Sequence, residues 1–336
     1  MKIIIDDKIP YIKGKLESIA DQVIYCAGKA ITSDLVKDAD ILIIRTRTKC
    51  DAKLLEGSSV KLICTATIGT DHIDLPWCEA HGIKVCHSAG CNAPAVAQYV
   101  WSLLLLHGLT PESSTIGIIG YGNIGKIVGQ LALINGASIM VSDPPLEKSG
   151  YREVSFTPLS EMLEKSDVVT IHTPLTYSGE NPTFHLIGEK ELSLVKEGSF
   201  IVNAARGGVI DEKALLRSVS GKGLKAIIDV WENEPCIDPE LLKAAVIATP
   251  HIAGYSLEGK MRATRMVMDN VLDFLGYAKD KIEISPDTNI SGDNDWNREG
   301  LRLAKDSEAL KKWPEHFELL RENYNLRHEI LRSFQR

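Results

Sequence analysis

Three short segments place polar side chains where an apolar run ends. They are Asn203-Ala204-Ala205-Arg206-Gly207-Gly208, Asp229-Val230-Trp231-Glu232-Asn233-Glu234-Pro235 and Thr249-Pro250-His251-Ile252-Ala253-Gly254-Tyr255. Open α/β sheets bind ligands outside the carboxyl ends of their strands, so chemistry is sought there first. Singly, each residue has a plainer use: Arg206 in a surface ion pair, Glu234 as a solvated loop acid, His251 as a satisfied loop histidine. Jointly, a cation, an acid and a histidine at three successive strand ends suit hydride transfer on a 2-hydroxy acid. Arg206 can grip a carboxylate with two parallel N–H donors. A histidine is the side-chain type suited to proton exchange near neutrality, so His251 can take the hydroxyl proton in oxidation or return it in reduction. A carboxylate beside it favours the imidazolium and fixes the ring, which gives Glu234 its part.

The hydride needs an acceptor, and the sequence has a place for one. The apolar run Thr115-Ile116-Gly117-Ile118-Ile119 leads into Gly120-Tyr121-Gly122-Asn123-Ile124-Gly125. A helical pattern follows, with Ile124, Ile127, Val128 and Leu131 on one face. In such a loop Gly120 makes the tight turn, Gly122 lets backbone N–H groups approach a pyrophosphate, and Gly125 lets helix pack on strand. Asn123 and Ile124 open a helix that faces the anion with its dipole and unpaired N–H groups. The next apolar strand, 138–142, ends at Asp143, eighteen residues beyond Gly125. That is close to the ribose-binding acid expected about 20 residues on. Its carboxylate would accept both ribose hydroxyls and repel a 2′-phosphate, and Pro144-Pro145 brings no arginine to greet one. The expected cofactor is therefore NAD, not NADP.

These segments must be positioned by sheets. Residues 2–6, 22–26, 41–46, 62–67 and 84–86 read as strands, with helices predicted over 11–20, 33–39 and 52–56. Residues 167–172, 199–204, 224–230 and 246–249 read as further strands, with helices over 159–165, 189–196 and 211–219. Near-continuous Ile, Val and Leu strands with helical connectors mean parallel sheets covered on both faces. A long apolar helix over 92–109 bridges the halves, and one over 257–275 can return to the first. The organisation expected is a discontinuous substrate domain (1–92 and 256–280), a nucleotide domain (93–255) and a C-terminal extension (281–336). Within that extension 287–298 reads as a loop and 309–336 as a charged helix, either solvated or in subunit contact, with Trp313, Phe317, Leu320, Tyr324 and Leu326 available to pack.

The 336 residues suit two such domains. A net charge of −7 with no basic run argues against a nucleic-acid partner. The opening residues are not expected to be a signal peptide, and the longest later apolar run is too short to span a bilayer. Seven cysteines without a CxxC pair read as reduced thiols, hence a cytoplasmic location.

These motifs together resemble the D-isomer-specific 2-hydroxyacid dehydrogenases. The likeness rests on the glycine loop with Asp143, on His172-Thr173-Pro174-Leu175, on Asn203-Ala204-Ala205-Arg206-Gly207, on the Asp229 to Pro235 segment and on Pro250-His251, in order along residues 40–275. It implies α/β architecture with two doubly wound parallel-sheet domains: a Rossmann-type NAD domain inserted into a flavodoxin-like substrate domain, with a short helical C-terminal extension. It implies the roles given above for Arg206, Glu234 and His251, and cofactor contacts from Asp143, Thr173, Ala204, Asp229 and Gly254. A closer likeness within the family, in Arg45-Thr46-Arg47-Thr48-Lys49, Thr65-Ala66-Thr67 and His251-Ile252-Ala253-Gly254-Tyr255, implies substrate contacts from Thr46, Thr67 and Tyr255. Closure of the two domains would exclude water from the substrate.

A small phosphorylated hydroxy acid, anionic at both ends, fits this set. Arg206 is available for the carboxylate, and Arg45 and Arg47 are candidates for the phosphate. On an extended segment those two arginines share a face while Thr46 takes the other. Other acids, such as 3-phosphoglycerate, glycerate or a plain 2-oxo acid, stay open, as does an NAD-sensing co-regulator without turnover. No metal is expected. A homodimer is implied, although residues 281–336 are short for the dimerisation domain of the relatives resembled, and only 317–329 match part of it.

Overall fold

A computed structural model describes residues 1–278 and 295–330. Their contacts separate two units. One holds Met1–Asn92 and resumes at Ser256; the other holds Ala93–Tyr255 and the described residues from 295 onward.

In the first unit, β1 (Lys2–Asp6), β2 (Gln22–Cys26), β3 (Ile41–Ile44), β4 (Leu62–Thr65) and β5 (Lys84–His87) form one parallel sheet in the order β2-β1-β3-β4-β5. That is the flavodoxin-like order. Its central strands are unbroken Ile and Leu because both faces are covered. Ile3, Ile5, Ile41 and Ile43 pack under the helix Leu257–Leu275 through Ala263, Val267 and Val271. Ile4, Leu42, Ile44 and Ile63 pack under the short helices Ser33–Val36, Ala52–Leu55 and Leu75–Ala80.

In the second unit, β6 (Thr115–Ile119), β7 (Ser138–Ser142), β8 (Val168–Ile171), β9 (Phe200–Asn203), β10 (Lys225–Ile228) and β11 (Ile247–Ala248) form a parallel sheet in the order β11-β10-β9-β8-β6-β7. The chain changes direction of progress at β6, which pairs β7 on one side and β8 on the other, so the switch point of this Rossmann-type sheet lies at their C-terminal ends. β9, β10 and β11 are neighbours, and the loops after them carry Arg206, Glu234 and His251 in turn. Helices Ala93–Leu106 and Asn123–Ile134 cover one face. Helices Leu159–Lys165, Glu189–Leu194, Glu212–Lys222 and Pro239–Ala244 cover the other.

Several local expectations change. Residues 11–20 are turns rather than a helix, with Tyr11 at φ 62° and Gly14 at φ 79°. Ile12 and Leu16, whose spacing suggested the helix, are buried all the same. The strand read as 41–46 stops at Ile44, and a turn follows in which the Thr48 N–H donates to the Arg45 carbonyl at 3.2 Å. Arg45 and Arg47 therefore do not alternate along an extended segment. The loop read over 287–298 lies in part outside the described residues, but Trp296 opens a helix, Trp296–Lys312, whose cap Asp295 accepts from the Arg298 N–H at 2.8 Å. That helix ends ahead of Pro314, and the rest of the expected 309–336 helix is a six-residue helix, Phe317–Glu322, followed by irregular chain to Ile330.

This segment packs on the second unit. Leu303, Leu310 and Phe317 are buried, whereas Trp313 is exposed. Ser307 Oγ accepts from the Ala248 N–H at 2.9 Å and Lys311 Nζ donates to the Ala245 carbonyl, so the helix covers the open edge of β11. A Cβ on Gly300 would sit 2.8 Å from the Ser102 carbonyl oxygen, which measures how closely Trp296–Lys312 lies on Ala93–Leu106.

Candidate active site

Gly120 turns at φ 86°, and a Cβ there would lie 2.8 Å from the His172 carbonyl oxygen. Only glycine lets the end of β6 pass the end of β8 so closely. A Cβ on Gly125 would lie 2.2 Å from the Gly120 carbonyl oxygen, so the first helical turn packs directly on the loop. A Cβ on Gly122 would meet nothing within 4 Å. No protein packing demands glycine there, which leaves close approach of a pyrophosphate as its use. Gly122 caps the helix Asn123–Ile134, with Asn123 exposed and Ile124 half-buried in the first turn. The N–H groups of such a turn have no helical acceptors.

Asp143 follows β7. Its Oδ2 accepts from the Tyr121 N–H at 2.8 Å and its Oδ1 from the Leu146 N–H at 3.0 Å. It caps the helix Pro144–Lys148 and ties it to the glycine loop. A carboxylate has about four acceptor positions, so ribose hydroxyls fit on the same group. Thr173 Oγ1 and His172 Nδ1, at the end of β8, are buried with no hydrogen-bond partner among the described residues. Orphaned polar atoms at a switch point suit a polar ligand. Burial pushes the His172 imidazole down to about 3, so the ring is neutral. The loop, the acid and the orphaned hydroxyl fit NAD.

Asn203 ends β9 and shapes the turn after it: its Oδ1 accepts from the Ala205 N–H at 3.1 Å and its Nδ2 donates to the Arg206 carbonyl at 3.0 Å. Ala204 and Ala205 are buried, and the half-buried Arg206 donates from Nη1 to the Ala205 carbonyl at 2.8 Å. Gly207 then passes so near the next loop that a Cβ would lie 1.9 Å from the Trp231 carbonyl oxygen. Backbone contact thus locks the arginine turn to the acid loop.

Asp229, 1% exposed after β10, shapes the histidine loop. Its Oδ1 accepts from Thr249 Oγ1 at 2.6 Å and from the Ile252 N–H at 2.8 Å, and its Oδ2 accepts from the Ala253 N–H at 2.9 Å. Burial raises its carboxyl, against the pull of His251 and these donors. His251 stands at φ 59°, a conformation costing a side-chain-bearing residue about 1–2 kcal/mol. Its N–H donates to the Asp229 carbonyl at 2.8 Å, which helps hold it there. Its Nδ1 lies 2.9 Å from Glu234 Oε2 and 3.2 Å from Oε1. Glu234 Oε1 also accepts from the Trp231 N–H at 3.0 Å. With Nδ1 bonded to the carboxylate, Nε2 is the ring nitrogen that Glu234 does not engage. Burial alone would raise the Glu234 carboxyl, but the bond and charge of His251, the Trp231 N–H and the Arg321 charge hold it below the usual range. Glu232 faces elsewhere: its Oε1 meets His185 Nε2 at 2.9 Å.

Residues 83–253 match the model of the D-isomer specific 2-hydroxyacid dehydrogenase NAD binding domain. The chain is also 45% identical over 340 residues to an erythronate-4-phosphate dehydrogenase of Bacteroides thetaiotaomicron, across 98% of this chain and 97% of that relative. The chain belongs to the D-isomer specific 2-hydroxyacid dehydrogenases. An erythronate-4-phosphate dehydrogenase of Escherichia coli O1:K1 / APEC is 40% identical over 282 residues, 82% of this chain but 74% of that relative. Among solved structures, NAD+-bound 3-phosphoglycerate dehydrogenase of Entamoeba histolytica matches with a TM-score of 0.70 and 27% identity, over 85% of this chain and 99% of that one. This 2-hydroxyacid dehydrogenase therefore takes NAD and acts on a CH–OH group.

The other expected residues of the dehydrogenase are placed unit by unit. In the first, wholly buried Asp6 holds Arg45, with Nε 3.0 Å from Oδ2 and Nη2 3.1 Å from Oδ1, while 28% of the arginine side chain stays exposed. Thr46 is exposed on the turn and Arg47 half-buried. Thr67 donates to the Gly69 carbonyl at 3.1 Å and lies 2.6 Å from Thr65 Oγ1, which meets His72 Nε2 at 3.2 Å. In the second, Gly254 and Tyr255 follow the histidine loop, and the Tyr255 hydroxyl accepts from Arg321 Nε at 3.2 Å. Sequence reasoning does not find Asp6, Asn203, Gly207 or Arg321. Asn203, directly after an apolar strand, carries the turn chemistry that could have flagged it. Gly207 and Arg321 act through contacts distant in sequence, and Arg321 is one charge among many in its segment.

Proposed function

We propose that this dehydrogenase oxidises 4-phospho-D-erythronate at C2 to the 2-oxo acid, in the biosynthesis of pyridoxal phosphate. The observation that carries the chemistry is the Glu234–His251 pair beside the Arg206 turn. In this reading Arg206 binds the C1 carboxylate with parallel donors. His251 Nε2 takes the C2 hydroxyl proton, and Glu234 stabilises the imidazolium that results. NAD supplies the hydride acceptor when bound. Asp143 holds its ribose, and Gly120, Gly122, Asn123, Ile124 and Gly125 hold its pyrophosphate. Thr173, Ala204, Asp229 and Gly254 are its further cofactor contacts. Thr46, Thr67 and Tyr255 are the further substrate contacts of this reading, and Arg45 and Arg47 are its candidates for the phosphate. The name of the Bacteroides thetaiotaomicron relative supports this choice of acid.

The same reading assigns 1–92 with 256–280 to substrate binding, 93–255 to the nucleotide and 281–336 to a C-terminal extension, in a cytoplasmic homodimer. No helix among the described residues is long and apolar enough to cross a membrane. Light scattering on the purified protein tests the dimer.

The test of function follows absorbance of the reduced nicotinamide. Protein and NAD are mixed with 4-phospho-D-erythronate, 3-phosphoglycerate or D-glycerate, each with and without a 2-oxo acid to reoxidise the cofactor. Strong preference for the phosphorylated four-carbon acid is the expected result. Turnover of another acid alone would discard the substrate and keep the chemistry; NADH binding without any turnover would favour a sensing protein.

A further inference from the structure

The helix Phe317–Glu322 delivers a side chain to the proton-transfer pair. Arg321, 19% exposed, places Nη1 3.7 Å from Glu234 Oε2 while its Nε donates to the Tyr255 hydroxyl at 3.2 Å. Glu318, one turn back, lies 3.9 Å from the same Nη1. The segment around it is anchored. Phe317 is 1% exposed, and Tyr324 meets the Tyr255 ring edge-on at 6.0 Å. Arg327, wholly buried, donates to the carbonyls of Ala253 and Ala95 and lies 3.3 Å from Glu299. The Arg327 N–H also donates to the Tyr255 carbonyl at 3.3 Å. Two of these bonds close directly on the loop that carries His251 and Tyr255.

We propose that Arg321 is a positioning residue for the reaction, tuning the Glu234–His251 pair with its charge and orienting the Tyr255 hydroxyl with its Nε. The proposal rests on His251 as the base. The surroundings of the pair are acidic. Asp229 acts on His251 from the end of β10, and Glu212, Glu232 and Asp238 cluster with Glu234 from the neighbouring loops and helix starts. Arg321 sets a fixed cation against them. Without it the charge of Glu234 would stand uncompensated beside the imidazole, which favours the imidazolium. Tyr255 gains a direction: an oxygen that accepts from a guanidinium turns its own O–H away from it, toward donation.

The two effects separate by substitution, read on whichever 2-hydroxy acid the assay above finds turned over. R321Q removes the charge and keeps a donor; R321K keeps the charge and loses the fixed geometry. In the pH profile of kcat/KM for oxidation, the acid limb should move up by about 0.5–1 pH unit in R321Q and stay in place in R321K. The R321Q shift should vanish when Glu234→Gln is the background. R321K should instead raise KM, as Tyr255→Phe should. NADH fluorescence verifies folding, and R321M replaces R321Q if that variant does not fold. An acid limb unmoved in R321Q, while His251→Asn abolishes turnover, overturns the assignment of Arg321 and leaves the pair standing. An acid limb that survives His251→Asn overturns the base itself, and this proposal with it.

Discussion

In the first unit, the turns beyond β3 and β4 add contacts of side chain on side chain, Asp6 on Arg45 and Thr65 on Thr67 and His72, to main-chain bonds such as the Thr48 N–H on the Arg45 carbonyl. In the second, the turns beyond β9, β10 and β11 are held through backbone. Asn203 bonds two main-chain groups, Asp229 accepts from two N–H groups of the histidine loop, and Gly207 rests on the Trp231 carbonyl. Both units use the same sheet physics. Side chains can rotate to suit a substrate, whereas a backbone clamp can hold the Glu234–His251 pair within the narrow tolerance that the proposed proton transfer needs.

That contrast can be broken most severely at the pair itself. His251→Ala and Arg206→Ala should each lower kcat/KM by about 10³-fold; steady-state rates within tenfold of wild type would dismiss the second unit as the seat of chemistry. Gly207→Ala should cost about 10²-fold in kcat/KM by driving apart the arginine turn and the acid loop, with NADH affinity preserved because the glycine loop is separate. Asp143→Ala should weaken NADH binding about 10- to 100-fold in a fluorescence titration, with kcat little changed.

Side-chain anchoring should yield smaller effects. Asp6→Asn keeps the shape and removes the charge that holds Arg45. A rise in KM of less than about tenfold and a stability loss of about 1–3 kcal/mol in urea unfolding are expected; an effect as large as that of Gly207→Ala would erase the distinction. The smallest effect belongs to Glu212, whose carboxyl is pushed up to about 7 by burial and by the Glu232, Asp238 and Glu234 charges. The folded protein then holds that proton more tightly than the unfolded chain does. Wild-type stability should fall as pH rises from about 4.5 toward 7, and Glu212→Gln should not share the fall. Thermal melts at pH 5 and pH 8 should show a gap in Tm that widens by about 2 °C.

The parallel sheets were legible because unbroken Ile and Leu strands and a glycine loop are strong local signals. The 11–20 turn was misread because Ile12, Leu16 and Ile19 have helical spacing, while the positive φ at Tyr11 leaves no mark in composition. Arg206, Glu234 and His251 stood out by type at strand ends, and of the two nearby acids the preferred one, Glu234, lies on His251 while Glu232 lies on His185. The helix Trp296–Lys312 was hidden by the polar residues of its first turn and by charges on its outer face. Its buried positions, Leu303 and Leu310, are too sparse to read as a core stripe without knowing the surface they meet.

The lid that Trp296–Lys312 forms over Ala93–Leu106 also sets a timetable for biosynthesis. On the ribosome the strands of the second unit emerge first, and their covering helix and Arg321 arrive last. At about 5–20 residues per second, the nascent apolar helix Ala93–Leu106 waits about 10–40 seconds for shelter and the bare edge of β11 about 3–13 seconds. Truncation after residue 278 would make that exposure permanent, yielding a polypeptide that chaperones retain and that sediments as aggregate.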